Sequence, residues 1–349
     1  MNGSEAAHAA AQLDIAAVER HLGAHLPGFR GPLAAEKTPT GQSNPTFILT
    51  SPSGRYVLRR KPPGQLLKSA HAVDREFRVI SALQGSAVPV PRIHLLCEDE
   101  SVIGSMFYVM AFVPGRTLMD PRTPGLSAEE RSAVFDDMNR VLAALHSVDV
   151  AAVGLADFGR PGNYFARQTS RWTGQYRASE TETLPEMEAL IGWLEANMPA
   201  DDGRVALVHG DWRIDNLRYH ESQPKVAAVL DWELSTLGHP LADLGAQLMQ
   251  WRMPAGEPLR GLEGVDRRAL GIPSDRDYVE TYAKRAGLAT LPDLTFCLAF
   301  SFFRMGAILQ GVKKRALDGN ASNPEQGLKM GANVPLYARK ALEVIAGGG

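Results

Sequence analysis

At 349 residues, with 44% hydrophobic and 22% charged residues, the chain is long enough for two domains or one large two-part enzyme and has an ordinary folded composition. A net charge of −2, with no basic run longer than Arg59-Arg60-Lys61 or Lys313-Lys314-Arg315, argues against a nucleic-acid partner, which needs a concentrated basic face. Two distant cysteines, Cys97 and Cys297, are too few for a disulfide framework or a zinc site and read as reduced, buried thiols. Residues 1–11 lack a basic n-region and carry Glu5, unlike a secretory signal. The most apolar stretch, 296–309, is cut by Arg304 and falls short of a membrane span, so no membrane is expected as a partner and the expected compartment is the cytoplasm.

In chain order, helical spacing predicts a first helix over 12–26, through Leu13, Ala16, Ala17 and Leu22. Glycine, proline and polar residues dominate until Thr46. Strand-like runs follow at 46–50, 55–60 and 106–113, the first two joined as a hairpin by Ser51-Pro52-Ser53-Gly54. Between them lie a helix at 74–83 and a short strand at 92–97. After Val113-Pro114-Gly115 the pattern becomes helical. Ser127 opens a long helix with a capping box closed by Glu130. Further helices are expected at 163–178 and 184–198, β runs at 205–208 and 226–230, and nearly continuous helix from about 274. The expected architecture is α+β, with a small strand-rich first lobe over 1–113 and a larger, mainly helical second lobe over 114–349.

The strongest chemical signal is Leu207-Val-His-Gly-Asp-Trp-Arg-Ile-Asp-Asn-Leu217, followed by Val229-Leu-Asp-Trp-Glu233. By role it reads His209-x-Asp211-x4-Asn216, with Asp231 at the end of the apolar strand 226–230, in a metal-binding strand-end segment 226–233. Phosphoryl transfer needs a carboxylate to orient the acceptor hydroxyl and take its proton, and hard oxygen ligands to hold Mg²⁺ against the phosphates. Asp211 fits the first role, and Asn216 and Asp231 fit the second. The Asp-to-Asn interval of five matches the catalytic loop of protein kinases, and the strand-end Asp matches their metal-binding Asp. His209 reads as a brace for this catalytic loop, and Asp215 as a loop-structuring residue.

The first lobe supplies the nucleotide side. Gly41, Ser43 and Asn44 form a turn with donors suited to phosphates. Tyr56-Val-Leu-Arg-Arg-Lys61 offers Arg59, or failing that Lys61, as the phosphate-binding cation, with Glu76 as its partner on the following helix. An edge strand with exposed charges is the plainer alternative for this run.

Taken together, these motifs resemble the aminoglycoside phosphotransferase and choline kinase superfamily, which has a bilobal, protein-kinase-like fold. The resemblance runs from Gly41 to the last helices through Val57-Leu-Arg59, Glu76, Met110-Ala-Phe-Val-Pro-Gly115, His209-Gly-Asp211, Asn216, Asp231 and Gly238-His-Pro-Leu-Ala-Asp243. It implies ATP or GTP and Mg²⁺ as cofactors and a small-molecule hydroxyl acceptor. It also implies an adenine contact from the backbone at 110–113, including Met110 and Phe112, and a buttressing role for Asp243. Arg59 stands where antibiotic-modifying members usually carry Lys, and Trp212-Arg-Ile-Asp215 where they commonly have Leu-His-Pro-Gly. Two segments, His71-Ala-Val-Asp-Arg-Glu76 and 230–240, look most like the phosphotransferase-like domain found beside or fused to acyl-CoA dehydrogenases. That branch implies hydroxylated acyl or acyl-CoA acceptors, with an acyl-CoA dehydrogenase as a partner.

For the acceptor, the helix at 163–178 offers Tyr164, Arg167, Arg171, Trp172, Tyr176 and Arg177, and Arg213, Glu233 and Arg304 lie elsewhere in the chain. A mixed aromatic and basic set suits an anionic, partly apolar ligand. Core packing and solvated charges are the plainer reading of the same residues. The leading expectation is a kinase. The alternatives are a nucleotide-binding pseudokinase partnering a dehydrogenase, a dehydrogenase proper, and a metal hydrolase using His209, Asp211, Asp231 and His239.

Overall fold

The computed structural model describes residues 13–38, 44–62, 72–290, 292–321 and 323–347. It divides into two compact units, Met1–Arg116 with Ala227–Ser235, and Thr117–Val226 with Thr236–Gly349. The first break falls at 116/117. Segment 227–235, however, belongs to the first unit, whereas 226–233 was expected in the second lobe. Three contacts account for this. Val229 donates its N–H to the Pro89 carbonyl at 2.8 Å, the 3-10 turn Trp232–Leu234 packs on a helix at Val73–Ala82, and Asp231 pairs with Arg59.

The first unit begins with helix α1 (Ile15–His25), capped by the Asp14 carboxylate on the Ala17 N–H. Five strands follow: β1 (Ala34–Lys37), β2 (Thr46–Ser51), β3 (Gly54–Arg60), β4 (Ile93–Cys97) and β5 (Phe107–Ala111). All pair antiparallel in the order β1-β2-β3-β5-β4. Alternation sends Phe47 and Leu49 of β2, and Tyr56 and Leu58 of β3, into a core shared with Val18, Leu22, Phe107 and Val109. Gly54, at φ +140°, closes the β2–β3 hairpin in a backbone region that favours glycine. Strand β3 lies inside the sheet, and Arg59 and Arg60 on it are buried, so the edge-strand alternative does not apply. Helix α2 (Val73–Ala82) carries Glu76.

The second unit holds strands β7 (Ala206–Val208) and β10 (Thr236–Gly238), which pair antiparallel, and the short strand β8 (Leu217–Tyr219). The short strands β6 (Arg116–Thr117) and β9 (Val226–Val229) straddle the unit boundaries. Its helices are α3 (Ala128–His146), α4 (Tyr164–Ser179), α5 (Pro185–Ala196), α6 (Leu241–Trp251), α7 (Arg267–Leu270), α8 (Asp275–Arg285), α9 (Thr295–Leu317), α10 (Pro324–Gly331) and α11 (Val334–Gly347). The Ser127–Glu130 capping box forms as its spacing predicts. Helix α9 runs 23 residues without a break at Arg304, longer than the apolar stretch suggested, and is the one helix among the described residues long and apolar enough to cross a membrane. Its most apolar window is 67% buried, and it packs against α4, α5, α6, α10 and α11. Those neighbours make it the core helix of this unit.

Candidate active site

In the first unit the chemistry gathers around a buried guanidinium. Arg59 Nη1 lies 3.0 Å from Glu76 Oε2, and Nη2 donates to Asp231 Oδ1 at 3.1 Å. Glu76 is fully buried, and its other contacts are the Asn44 amide at 2.8 Å and the Tyr108 hydroxyl at 3.1 Å, both donating. Burial opposes the charge on Arg59, but the field of Glu76, helped by Tyr108 and Asp231, overrides it and holds the guanidinium well above its usual range. At Glu76 burial wins: its carboxyl is pushed up to about 7 despite Arg59, with Asp231 and Glu233 adding repulsion. Arg59 Nε is buried with no hydrogen-bond partner among the described residues, which leaves a donor suited to an anionic oxygen. Asp231 itself sits in the left-handed region at φ 64°, a conformation costing a non-glycine residue about 1 kcal/mol.

In the second unit the loop after β7 is held from its backbone. The buried Asp243 carboxylate, on the first turn of α6, accepts the N–H groups of His209 at 2.6 Å and Gly210 at 2.8 Å. Gly210, at φ +82°, takes the left-handed turn that aims both amides at one carboxylate. Beyond Asp243, His146 Nε2 lies 3.3 Å from Oδ2, and His146 Nδ1 lies 2.7 Å from the Tyr282 hydroxyl. Burial would raise Asp243, but the His146 contact, the fields of His146 and His209, and the Gly210 N–H hold it below the usual carboxylate range. His209 is buried, and its Nδ1 accepts the Asp211 N–H at 3.2 Å, so it ties the loop to itself.

Asp211 follows, half-buried, with Asn216 Nδ2 donating to both its carbonyl and Oδ2 at 2.8 Å. The Asn216 nitrogen is thus committed to Asp211, and its carbonyl oxygen remains as a hard donor. Asp231 likewise keeps Oδ2 beside the paired Oδ1. Each is a hard oxygen donor of the kind Mg²⁺ takes, unlike the nitrogen and sulfur donors that suit zinc or copper. Among the described residues no group of three or more His, Cys, Asp or Glu gathers as a metal site, as the hydrolase alternative would need.

The remaining predicted residues fall in varied places. Gly41 and Ser43 lie outside the described residues. Asn44, expected over phosphates, is instead fully buried behind the ion pair, positioning Glu76. Lys61, the second choice for the cation, follows β3 and bonds Met106 through its backbone. Met110 is buried in β5, paired with Val57 and Ile93, and the Phe112 N–H donates to the Arg55 carbonyl at 3.2 Å. The Arg55 guanidinium lies 3.7 Å from the Phe112 ring centre. Arg213 bonds Asp215, and its charge, opposed by burial, is favoured by the fields of Asp211 and Asp215. Glu233 sits in the first unit beside Asp231. Trp172 and Arg171 adjoin on α4, with Trp172 Nε1 donating to Gln168 at 3.2 Å. Tyr108, His146 and Tyr282 went unpredicted. Each lies in an apolar-periodic stretch where nothing local marks a buried polar contact.

Residues 35–280 match the model of the phosphotransferase enzyme family. The mouse acyl-CoA dehydrogenase family member 10 is 47% identical over 303 residues, which cover 86% of this chain and 28% of that protein. The chain spans less than half the length of the curated relatives it matches. A Ralstonia eutropha structure, named for the aminoglycoside phosphotransferases, is 49% identical with a TM-score of 0.86, covering 95% of this chain and 98% of that one. A thermostable mutant of aminoglycoside phosphotransferase APH(4)-Ia, in a ternary complex with ADP and hygromycin B, shares the fold at 15% identity and a TM-score of 0.61, covering 94% and 98%. The five-stranded antiparallel sheet and the helical second unit are therefore those of the protein-kinase-like fold. By sequence and by structure, the chain belongs to the phosphotransferase enzyme family.

Proposed function

We propose that this protein is a Mg²⁺-dependent small-molecule kinase that moves the γ-phosphate of ATP to the hydroxyl of an acceptor such as a hydroxy acid or hydroxyacyl-CoA. The observation that carries the reading is Asp211, oriented by Asn216 on a loop whose amides a buried carboxylate clamps. Such preorganisation is what phosphoryl transfer asks of a protein, because the reaction relies on positioning and electrostatics.

Asp211 orients the acceptor hydroxyl and takes its proton as the oxygen bonds to the γ-phosphorus and the β–γ bridging bond breaks, releasing ADP. Arg59, kept charged by Glu76, holds phosphate oxygens. Asn216 and Asp231 would hold Mg²⁺, which when bound offsets charge on the phosphates. The bound ADP of APH(4)-Ia supports the nucleotide, and the names of the longer relatives support the acyl character of the acceptor. ADP release across hydroxyacyl-CoAs, hydroxy acids, sugars and aminoglycosides tests the reading. Silence with every acceptor, together with no Mg²⁺-dependent nucleotide binding, would end it.

The Arg59–Asp231 ion pair favours a second reading, since it engages the carboxylate proposed for metal. In that reading the protein binds nucleotide without turnover. Tight Mg²⁺-ATP binding with no phosphorylated product from any acceptor would select it.

A further inference from the structure

Helix α4 carries several arginines, and the structure sorts them by whether they already have partners. Arg177 is bound to Glu188 and Glu180, and Arg167 donates to the Arg160 carbonyl at 2.6 Å. Arg171 has no hydrogen-bond or carboxylate partner among the described residues, and its guanidinium lies 5.5 Å from the Trp172 ring centre. From α9, Arg304 reaches the same indole at 5.6 Å, again with no carboxylate. Helices α4 and α9 pack together, so two cations without carboxylate partners lie near one aromatic ring.

Tyr164, on the same α4 face, is 92% buried by its 8% exposure. Burial raises this phenol, with Asp243 adding to the rise, while Arg304, Arg167 and Arg171 oppose it. The cluster therefore lies within electrostatic reach of the carboxylate that holds the Asp211 loop. Arg304 is costly where it stands: a half-buried charge in the core helix with no counter-ion. A charge kept there without a partner fits an anion arriving from solution.

We propose that Arg171 and Arg304, both beside the Trp172 ring, form the subsite that reads an anionic group on the acceptor. The assignment rests on the kinase reading for its purpose but not for its test. The subsite distinguishes a carboxylate- or phosphate-bearing acceptor from its neutral analogue, and the indole packs against the adjoining carbon chain.

The experiment compares 3-hydroxyoctanoate with its methyl ester, by calorimetric binding without nucleotide and by ADP release with Mg²⁺-ATP. Wild-type protein should prefer the acid, and Arg304→Gln or the exposed Arg171→Gln should reduce that preference at least tenfold, with Arg304→Lys recovering part of it. Melting temperatures of the variants establish folding, and Arg171, being exposed, gives a variant free of core damage. Equal binding of acid and ester by wild type, no binding of either, or an unchanged preference in both Gln variants overturns the proposal. Charge-selective binding lost in the variants but without ADP release sustains the subsite while the kinase reading fails. ADP release with an unchanged preference does the reverse.

Discussion

Asp243 and His209 are joined across 34 residues of sequence, the His209 N–H donating to Asp243 Oδ2 at 2.6 Å. With Gly210 on the other oxygen, one carboxylate fixes the conformation that presents Asp211.

Replacing Asp243 with Asn removes the charge and turns one acceptor oxygen into a donor facing a buried N–H. The expected cost is about 2–4 kcal/mol in urea unfolding at neutral pH, with a fall in turnover that exceeds any change in nucleotide affinity. Because the folded Asp243 is held below its ordinary value, its stabilisation is present above the unfolded value near 3.8 and fades as pH falls through the folded one. The variant should therefore lose part of the acid limb of the stability profile. An unchanged limb with full turnover would show that the clamp carries neither role.

Asp211→Asn leaves the Asn216 contact available, since an amide oxygen accepts as a carboxylate oxygen does. Turnover should drop about 10²–10⁴-fold while Mg²⁺-nucleotide binding persists. Asn216→Ala should lower turnover as well and weaken the Mg²⁺ dependence. Unchanged ADP release in Asp211→Asn would remove Asp211 as the base.

Where local physics governed, the sequence was legible. The 46–60 hairpin follows from alternating apolar residues around a Gly54 turn, and Ser127 with Glu130 needed only their spacing. Strand β1 was missed because Ala-Ala-Glu-Lys has little β character and is mostly exposed, held only by its pairing with β2. Helix α6 was missed because it opens after Pro240 with no side-chain cap, so no local start signal marks it. At the site, the Asp211–Asn216 interval is a local signal. That Asp231 belongs with Arg59, 172 residues away, is a tertiary fact that no window contains.

Gly245 lies on α6 two residues past Asp243, and a Cβ there would come within 2.9 Å of the Cys297 carbonyl oxygen on α9. That atom is helix backbone and cannot swing aside. Gly245→Ala should destabilise by about 1–3 kcal/mol in denaturant unfolding and lower turnover by shifting Asp243. A neutral effect would mean that the two helices separate easily.

Asp231 offers a separation of backbone from chemistry. Asn tolerates the left-handed region, so Asp231→Asn should keep its stability within about 0.5 kcal/mol yet lose most Mg²⁺-dependent turnover. Asp231→Ala should lose turnover and about 1 kcal/mol of stability besides, since Ala accepts that conformation poorly. Equal melting temperatures for the two variants would show that the backbone relaxes when the Arg59 contact goes.

The buried Glu76 makes a pH prediction whose sign is fixed by its surroundings. Folded Glu76 keeps its proton to about pH 7, whereas the unfolded chain releases it near 4.5. Between those values the folded state holds more protons than the unfolded one, so this group's contribution to stability falls as pH rises. It is complete below the unfolded value and lost above the folded one, a swing on the order of 3 kcal/mol. Glu76→Gln cannot titrate, so the stability of wild type relative to this variant should be greatest at about pH 5 and shrink steadily toward about pH 8. Urea unfolding of both proteins across that range measures it. A gap that widens with pH would mean that Arg59 keeps Glu76 ionised throughout, and that the ion pair outweighs the burial of its carboxylate.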